Sequence, residues 1–367
     1  MTHRSMPEIS PAFIRRSLRR GFTMLEMLVA IAIAAFVVAG LYGLFTIQSR
    51  QFMFQDLQME MHQNLRFGAD VLSRSIRMSG FNTSGYIAGV MGSDGTSGSS
   101  IDASELPAII PWDSDGANGT DAITVVYGDP STVMSTHYSV MEAYTTESLT
   151  FQPNTLENNE KLQQITAGDL LLCHDFASMS GTESYLWEVS ADADVSNGVV
   201  SVYENDTNYT DYVNLFGTDT NLSPIMRCAK GQVLTFYIDD SDDGTGPGTE
   251  DHPVLMMDMN FNWPNDDDIP LVDNVEDLQL MYCMDGGIGA RCDDDTQWRD
   301  DFTSDRADEV WGVRIHLLIR SSREESRGIY KNIRPDIANN AVGSTDEDGY
   351  YRQVLVTEVA TRNLRAL

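Results

Sequence analysis

The chain has 367 residues, of which 55 are acidic and 24 are lysine or arginine, giving a formal net charge of −31 at pH 7. This composition argues against nucleic acid as a partner, because binding to phosphate requires basic patches. Since 42% of the residues are hydrophobic, the chain is expected to fold around a substantial core.

Residues 1–21 are basic, in contrast to the acidic remainder of the chain. They contain five arginines and one acidic residue, Glu8. A basic start before an acidic body is expected when the start stays in the cytoplasm and the body crosses the membrane.

An apolar run of 24 residues, 22–45, follows and contains one charged residue, Glu26. As a helix it would span roughly 36 Å, enough to cross a hydrocarbon core of about 30 Å. The run is too long for an ordinary secretory signal, and the helical pattern continues beyond it. We therefore predict a transmembrane helix over 22–45.

An amphipathic continuation is predicted over 46–80, because apolar residues recur there at steps of three and four. The stripe consists of Phe54, Leu57, Met61, Leu65, Ala69, Leu72 and Ile76. The prediction is one continuous helix from about Phe22 to Met78, ended near Gly80. The Gly/Ser-rich stretch 81–100 is predicted to be a linker.

The stretch "RRGFTMLEMLVA" (19–30) resembles the class III signal of type IV prepilins and type II secretion pseudopilins. The resemblance implies that prepilin peptidase cleaves between Gly21 and Phe22, that Phe22 is then N-methylated, and that Glu26 is the fifth mature residue. A lone carboxylate in hydrocarbon is costly, so the N-terminal amine of a neighbouring subunit is a suitable partner for it. That pairing would set the register between subunits; the alternative is a glutamate that merely reaches the membrane surface.

Four later stretches resemble PilW-like minor pilins, and most major pilins are shorter than this chain. They are "QMEMHQNLRFGADVLSRSIRMSGFN" (58–82), "VEDLQLMYCMDG" (275–286), "VWGVRIHLLIRSS" (310–322) and "YRQVLVTEVATRNL" (351–364). The first contains an Arg-x-x-Gly-aromatic pattern, Arg77 to Phe81, and the last ends near Arg362-Asn363. The J-type pseudopilin of type II secretion, usually shorter, is the nearest alternative.

The remainder, 101–367, is predicted to be a β-rich head with a large insert at 101–270. Short apolar runs separated by Gly, Asp and Asn predict strands at 122–128, 148–152, 169–176, 184–190, 198–204, 232–239, 253–260, 275–284, 313–320 and 353–360. The fold class is therefore α+β: a long N-terminal helix packed on a mainly antiparallel sheet. The sequence leaves open whether the insert elaborates one sheet or forms a second lobe.

Four cysteines all lie in the predicted exported part, and an even number there favours disulfides. Cys283 and Cys292 bracket a glycine-rich loop and are expected to pair, which leaves Cys173 with Cys228. Closing the small loop would stabilise the fold by about 2–3 kcal/mol in the chain-entropy model. Free thiols and a metal site are the alternatives, although no C-x-x-C is present.

The acidic loop "DDSDDGTGPGTED" (239–251) has the oxygen spacing of a calcium-binding loop, with Gly244 at its sixth position. The candidate ligands are Asp239, Ser241, Asp243, Thr245 and Glu250. The flanks resemble strands, so a helix–loop–helix EF-hand is not expected. A weaker candidate in 113–121 uses Asp113, Asp115 and Asp121. The alternative in both places is a solvated turn.

No catalytic motif is found in the sequence, and its six histidines are scattered. A non-enzymatic protein is therefore expected, with no required cofactor and Ca²⁺ as the one candidate ion.

The resemblance implies a minor pilin of the initiating or tip complex of a type IV pilus. Its expected partners are other minor pilins, the major pilin, prepilin peptidase and the inner-membrane assembly platform. The expected location is the bacterial inner membrane, single-pass, with a cytoplasmic N-terminus and a periplasmic head, and then the cell surface in the pilus. A calcium-binding tip adhesin is a further alternative.

Overall fold

The computed structural model describes residues 22–83, 86–87, 90–91, 106–135, 144–145, 148–151, 156–175, 184–202, 226–240, 252–259, 268–284, 292, 295–325, 330–340 and 347–364. By internal contacts the chain divides into two compact units, Met1–Asp56 and Leu57–Leu367. The described residues of the insert 101–270 belong to the larger unit.

Two α-helices are present in the described chain, α1 at Met24–Met78 and α2 at Leu156–Leu162. The continuous helix predicted from about Phe22 to Met78 is thus observed, whereas the sequence analysis missed α2. Short 3₁₀ helices occur at Ala117–Gly119, Pro130–Thr132, Asp295–Gln297 and Ser304–Glu309.

The strands in the first part of the head are short. They are β1 Tyr86–Ile87, β2 Val90–Met91, β3 Leu106–Pro107, β4 Ile109–Trp112, β5 Ala122–Gly128, β6 Met134–Ser135, β7 Tyr144–Thr145, β8 Ser148–Thr150, β9 Leu170–Asp175, β10 Ser184–Glu188 and β11 Val199–Ser201. Two of them, β1 and β2, lie within 81–100, so this stretch is not wholly the linker that its composition predicted.

The later strands include the longest in the head. They are β12 Met226–Asp239, β13 Val254–Asp258, β14 Ile269–Asp273, β15 Val275–Met284, β16 Trp298–Arg299, β17 Val310–Arg320 and β18 Arg352–Ala360. Each of the ten predicted strands corresponds to an observed one, with boundaries that differ by several residues in places.

The largest sheet follows the order β14-β13-β12-β9-β10-β2, and β12 is its central strand. The 14 residues of β12 pair with β5, β6, β9 and β13, all antiparallel. A second sheet has the order β16-β15-β17-β18 and is antiparallel throughout. Two smaller sheets, β1-β3 and β11-β8-β7, complete the described pairing.

The main hydrophobic core joins the second half of α1 to both large sheets. Met61, Leu65, Leu72 and Ile76 are buried on one face of the helix, as their three- and four-residue spacing predicts. The sheets contribute Ile123, Val125, Leu234, Phe236, Leu278, Leu280, Val313, Ile315 and Leu317. The predicted class, a long N-terminal helix with an antiparallel β head, is confirmed.

A second hydrophobic cluster lies in the insert, around Cys173 and Cys228. Phe151, Leu162 and Trp187 are buried in it. Leu162 is the last residue of α2, so this short helix covers one side of the cluster.

Candidate assembly site

The start of α1 is closed by reciprocal hydrogen bonds between Thr23 and Glu26. The backbone N–H and the hydroxyl of Thr23 donate to Glu26 Oε2 at 2.9 and 3.0 Å, and the backbone N–H of Glu26 donates to Thr23 Oγ1 at 3.3 Å. This is a capping box, in which a threonine and the glutamate three residues later satisfy each other's backbone donors. T-M-L-E at 23–26 carries the sequence signature of this motif, although no capping box was predicted there.

Glu26 keeps one carboxylate oxygen outside this cap. Both donors from Thr23 reach Oε2, and within the described chain Oε1 accepts no hydrogen bond. Phe22, which directly precedes Thr23, is 87% exposed. Gly21, on the other side of the expected cleavage bond, lies outside the described residues.

The first half of α1 exposes its apolar side chains. Phe36 is 82% exposed, and Leu25, Val38 and Phe45 are also exposed. Of the helices described, α1 alone is long and apolar enough to cross a membrane, and no part of its most apolar 18-residue window is buried. Apolar surface of this extent is stable only in a membrane or against other protein.

The end of α1 is fixed to the last described residues of the chain. Gly80 adopts φ +75°, and its N–H donates to the Val126 carbonyl at 2.9 Å. A Cβ at Gly80 would lie 2.9 Å from the backbone oxygen of Asn363. The side-chain amide of Asn363 also donates to the Arg77 carbonyl at 3.2 Å. The Arg-x-x-Gly pattern and the Arg-Asn pair near the C-terminus therefore meet in space.

Comparison with protein families matches both ends of the chain. Residues 235–363 match the model of Type IV Pilus-assembly protein W, and residues 16–42 match the prokaryotic N-terminal methylation motif. The predicted resemblance to the PilW family is confirmed. The PilW-like match covers β13 to β18 and the last five residues of β12, together with the pattern near Asn363.

The methylation motif covers the expected cleavage bond and the apolar run as far as residue 42. It supports attachment to a membrane through α1 and interaction with pilins and the machinery of pilus assembly. The pilin family is in general structural rather than enzymatic.

Among solved structures, the PilW-like chain is similar to a type IV-like pilin, TTHA1219, from Thermus thermophilus. The identity is 12%, with 56% of this chain and 91% of the other covered, and the TM-score is 0.22. No curated protein matches the chain.

The four cysteines form two disulfides, Cys173–Cys228 and Cys283–Cys292. These are the pairs expected from the sequence. Cys173 and Cys228 lie directly opposite each other on β9 and β12, with their Cα atoms 4.0 Å apart. The first bridge fastens the insert to the central strand of the large sheet, and the second closes the loop after β15.

The stronger calcium candidate is described only at its beginning. Asp239 is the last residue of β12, and Asp240, which follows it, accepts a hydrogen bond from the side-chain amide of Asn118. Ser241, Asp243, Thr245 and Glu250 lie outside the described residues. The prediction of a calcium loop at 239–250 is therefore untested.

In the weaker calcium candidate, two of the three carboxylates accept hydrogen bonds from other protein groups. Asp121 accepts hydrogen bonds from the backbone N–H of Ser114 at 3.0 Å and of Leu280 at 2.7 Å. Asp113 accepts one from the side-chain amide of Asn339 at 3.1 Å, and Asp115 is exposed. Across the described ranges, no three His, Cys, Asp or Glu side chains converge on a point suited to a metal ion.

Asp121 is almost fully buried, and its burial raises the pKa of its carboxyl to about 7. The two backbone donors oppose that shift, and the nearby carboxylates of Asp113 and Asp277 add to it. The pKa of Asp277 is also raised, mainly by burial. The two hydrogen bonds that Asp121 accepts, from Ser114 and Leu280, join the 113–121 loop to β15.

Buried ion pairs hold the segment between β17 and β18 against the second sheet. Arg334 donates to Asp277 Oδ2 at 2.7 Å, and Arg352 donates to Glu276 Oε2 at 2.7 Å. Asn340 also donates to Asp277, at 3.0 Å. Sequence reasoning missed these contacts, because the partners are more than 50 residues apart and no local pattern links them.

Proposed function

We propose that this PilW-like protein is a minor pilin, incorporated into the initiating or tip complex of a type IV pilus. Its partners there are other minor pilins and the major pilin, and it reaches them through prepilin peptidase and the inner-membrane assembly platform. The role is structural, and no cofactor is required for it. A bulky acidic head fits an end of the filament better than a shaft packed from identical subunits.

This proposal rests on two matches to known protein families that occur together in one chain. A methylation motif at 16–42 includes the exposed apolar start of α1, and a PilW-type match follows at 235–363. Glu26 stands at the start of that helix, with Oε2 bound to Thr23 and Oε1 left for a second donor. The charged N-terminal amine of a neighbouring subunit is such a donor, and its approach fixes the register between two helices.

Processing is tested by mass spectrometry of the full chain from cells with and without prepilin peptidase. We expect cleavage between Gly21 and Phe22, and N-methylated Phe22, only when the peptidase is present. A protease added outside the inner membrane is expected to digest the head and spare the N-terminal segment. A different mature N-terminus would contradict the assignment.

The register role of Glu26 is tested by Glu26→Ala in the full chain. We expect its incorporation into pili to fall at least tenfold while processing continues. Asp56→Ala is the matched control, because Asp56 is an exposed acid on the same helix outside the apolar run. Equal incorporation of both variants would remove the role of Glu26.

The J-type pseudopilin of type II secretion is the alternative that the sequence leaves open. Deletion of the gene separates the two functions. Loss of surface pili with normal protein secretion supports the minor pilin. Loss of secreted proteins with normal piliation supports the pseudopilin.

A calcium-binding head, which an adhesin at the pilus tip could use, remains a separate proposal for 239–250. It is supported by the oxygen spacing from Asp239 to Glu250 and by the position of Asp239 at the end of β12. The test is the melting temperature of the full chain in detergent with and without millimolar Ca²⁺. We expect stabilisation that is lost in Asp243→Asn, and no shift at millimolar Ca²⁺ would remove the proposal.

A further inference from the structure

The second sheet ends at β18, a strand of nine residues. Among the described strands β17 alone pairs with β18, and the register between the two strands has no shift. A strand at the edge of a sheet presents a row of backbone N–H and C=O groups that can pair with another chain. We call the side of β18 that faces away from β17 the open edge.

The other edge strands that the structure describes are short or contain proline. The strand β4 has four residues and includes Pro111, and β14 has five residues and includes Pro270. The remaining ones have two or three residues each and are β1, β2, β3, β6, β7, β11 and β16. Short edge strands, proline and bulges are the features that keep sheet edges from pairing with other chains. The nine residues of β18 contain no proline, no lysine and no bulge, so the open edge lacks this protection.

Hydrogen bonds beyond the two ends of β18 show which of its backbone groups face the open edge. The N–H of Thr361 donates to the Trp311 carbonyl at 3.0 Å, and the N–H of Ser321 donates to the Tyr351 carbonyl at 2.8 Å. In an antiparallel ladder, residues bonded in this way alternate with residues whose N–H and C=O point away from the partner strand. The even-numbered residues of β18 therefore direct their backbone groups to the open edge. They are Arg352, Val354, Val356, Glu358 and Ala360.

Most of these even-numbered residues also have exposed side chains. Val354 is 39% exposed and Val356 is 50% exposed, whereas Leu355 between them packs against the main core. Glu358 forms an ion pair with Arg314 and is still exposed. Side chains directly opposite each other on neighbouring strands are in contact. A strand added at the open edge would therefore place its side chains against two valines and a carboxylate.

A second copy of this chain is a poor occupant of the open edge. Each copy has a formal net charge of −31, so two heads repel each other. A second β18 would offer one basic residue, Arg352, whose guanidinium is already bound to Glu276 and Asp348. Glu358 would therefore gain no cation from it. A lipid headgroup does not fit either, because it cannot match alternating donors and acceptors along a strand.

We propose that the open edge of β18 binds an extended segment of a different protein, which adds to the second sheet as a fifth strand. The segment carries apolar side chains at the two alternate positions beside Val354 and Val356, and a lysine or arginine near Glu358. Main-chain hydrogen bonds supply the affinity, and the alternating side chains supply the specificity. Because β17 already holds β18 in place, only the incoming segment must be ordered. This binding concerns the head alone and applies to a pilus subunit and to a secretion pseudopilin alike.

The partner segment is identified by placing a photo-crosslinking amino acid at Val356 of the full chain in cells. The matched control carries the same amino acid at Asp115, which is exposed in a loop. We expect an adduct from position 356 that is absent from position 115, and whose crosslinked peptide belongs to another protein and alternates apolar with polar residues. Adducts only with lipid, adducts only with a second copy of this chain, or no adduct at all would overturn the proposal.

Strand addition is separated from ordinary surface contact by comparing Val356→Pro with Val356→Ala. Both variants lose the valine side chain, but only proline removes the N–H that faces the open edge. The probe is a synthetic peptide of the crosslinked segment, added to the full chain in detergent. We expect the peptide to bind Val356→Pro at least tenfold more weakly than Val356→Ala, while the two variants keep the melting temperature of the natural chain. Equal affinities for the two variants would overturn the proposal.

Amide hydrogen exchange of the natural chain gives a readout that does not depend on the folding of a variant. Without the peptide, the amides of the even-numbered residues of β18 should exchange faster than those of the odd-numbered residues, which are bonded to β17. Adding the peptide should slow exchange at the even-numbered residues and leave the odd-numbered ones unchanged. No change at the even-numbered residues would overturn the proposal.

Discussion

The side-chain amide of Asn363 donates a hydrogen bond to the backbone carbonyl of Arg77, 286 residues earlier in the chain. The same residue presents its own carbonyl to Gly80 so closely that no Cβ fits between them. The end of α1 and the segment after β18 are therefore in direct contact.

Gly80→Ala is expected to destabilise the head by about 2–3 kcal/mol. An added Cβ would lie 2.9 Å from the Asn363 oxygen, and the residue would also be strained at φ +75°. Gly168→Ala is the matched control, because Gly168 has φ +85° and nothing within 4 Å of the Cβ position. Denaturant unfolding gives the free energy of unfolding of both variants. The loss in Gly168→Ala reports backbone strain alone, and any further loss in Gly80→Ala reports the steric clash with Asn363. Equal losses would show that the contact with Asn363 is unimportant.

Asp121 makes stability depend on pH between about 4 and 7. Burial raises the pKa of its carboxyl from 3.8 to about 7, so the folded state holds a proton that the unfolded state has released. The free energy of unfolding should therefore fall as pH rises through this window, by at most about 4 kcal/mol. Asp121→Asn should flatten that slope. The slope is measured by thermal unfolding at half-unit steps of pH.

Asp115→Asn is the control for this pH dependence, since Asp115 lies in the same loop and is exposed. It removes one carboxylate without removing the buried proton site. Asp277 and Asp300 also have raised pKa values, so part of the slope should survive in both variants. A slope that is the same in Asp121→Asn and Asp115→Asn would contradict the role assigned to Asp121.

The two disulfides should differ in their contribution to stability. The bridge Cys173–Cys228 spans 55 residues and Cys283–Cys292 spans 9. The chain-entropy model then gives losses of about 4 and about 2.5 kcal/mol for the two paired Cys→Ala variants. The measurement is denaturant unfolding of the full chain in detergent, with the natural disulfides as reference. A larger loss for the short loop would show that packing around Cys283 outweighs loop length.

Thr23→Ala is expected to weaken the first turn of α1 by about 1 kcal/mol. The variant loses the side chain that both donates to Glu26 Oε2 and accepts from the Glu26 N–H. Amide exchange at residues 24–27 in detergent micelles should become faster, whereas exchange at 61–76 should stay unchanged. Thr23→Ser keeps both hydrogen bonds and serves as the control. Equal protection in Thr23→Ala and Thr23→Ser would argue against the cap.

Local sequence patterns were enough to predict the long helix and ten of the strands, and the cysteine pairs were also expected from the sequence. These features follow from local patterns: an unbroken apolar run, three- and four-residue spacing in the buried stripe, and apolar runs bounded by Gly and Asp. The pairing of Cys283 with Cys292 was also accessible, because the two lie close in the chain.

The contacts between distant segments follow from the packing of the folded chain and not from local sequence. That Asp121 binds the backbone of Leu280, that Asp277 pairs with Arg334, and that Asn363 closes the end of α1 depend on contacts between residues far apart in sequence. Local propensity acts over a few residues, whereas partners across a sheet are chosen by packing of the whole core.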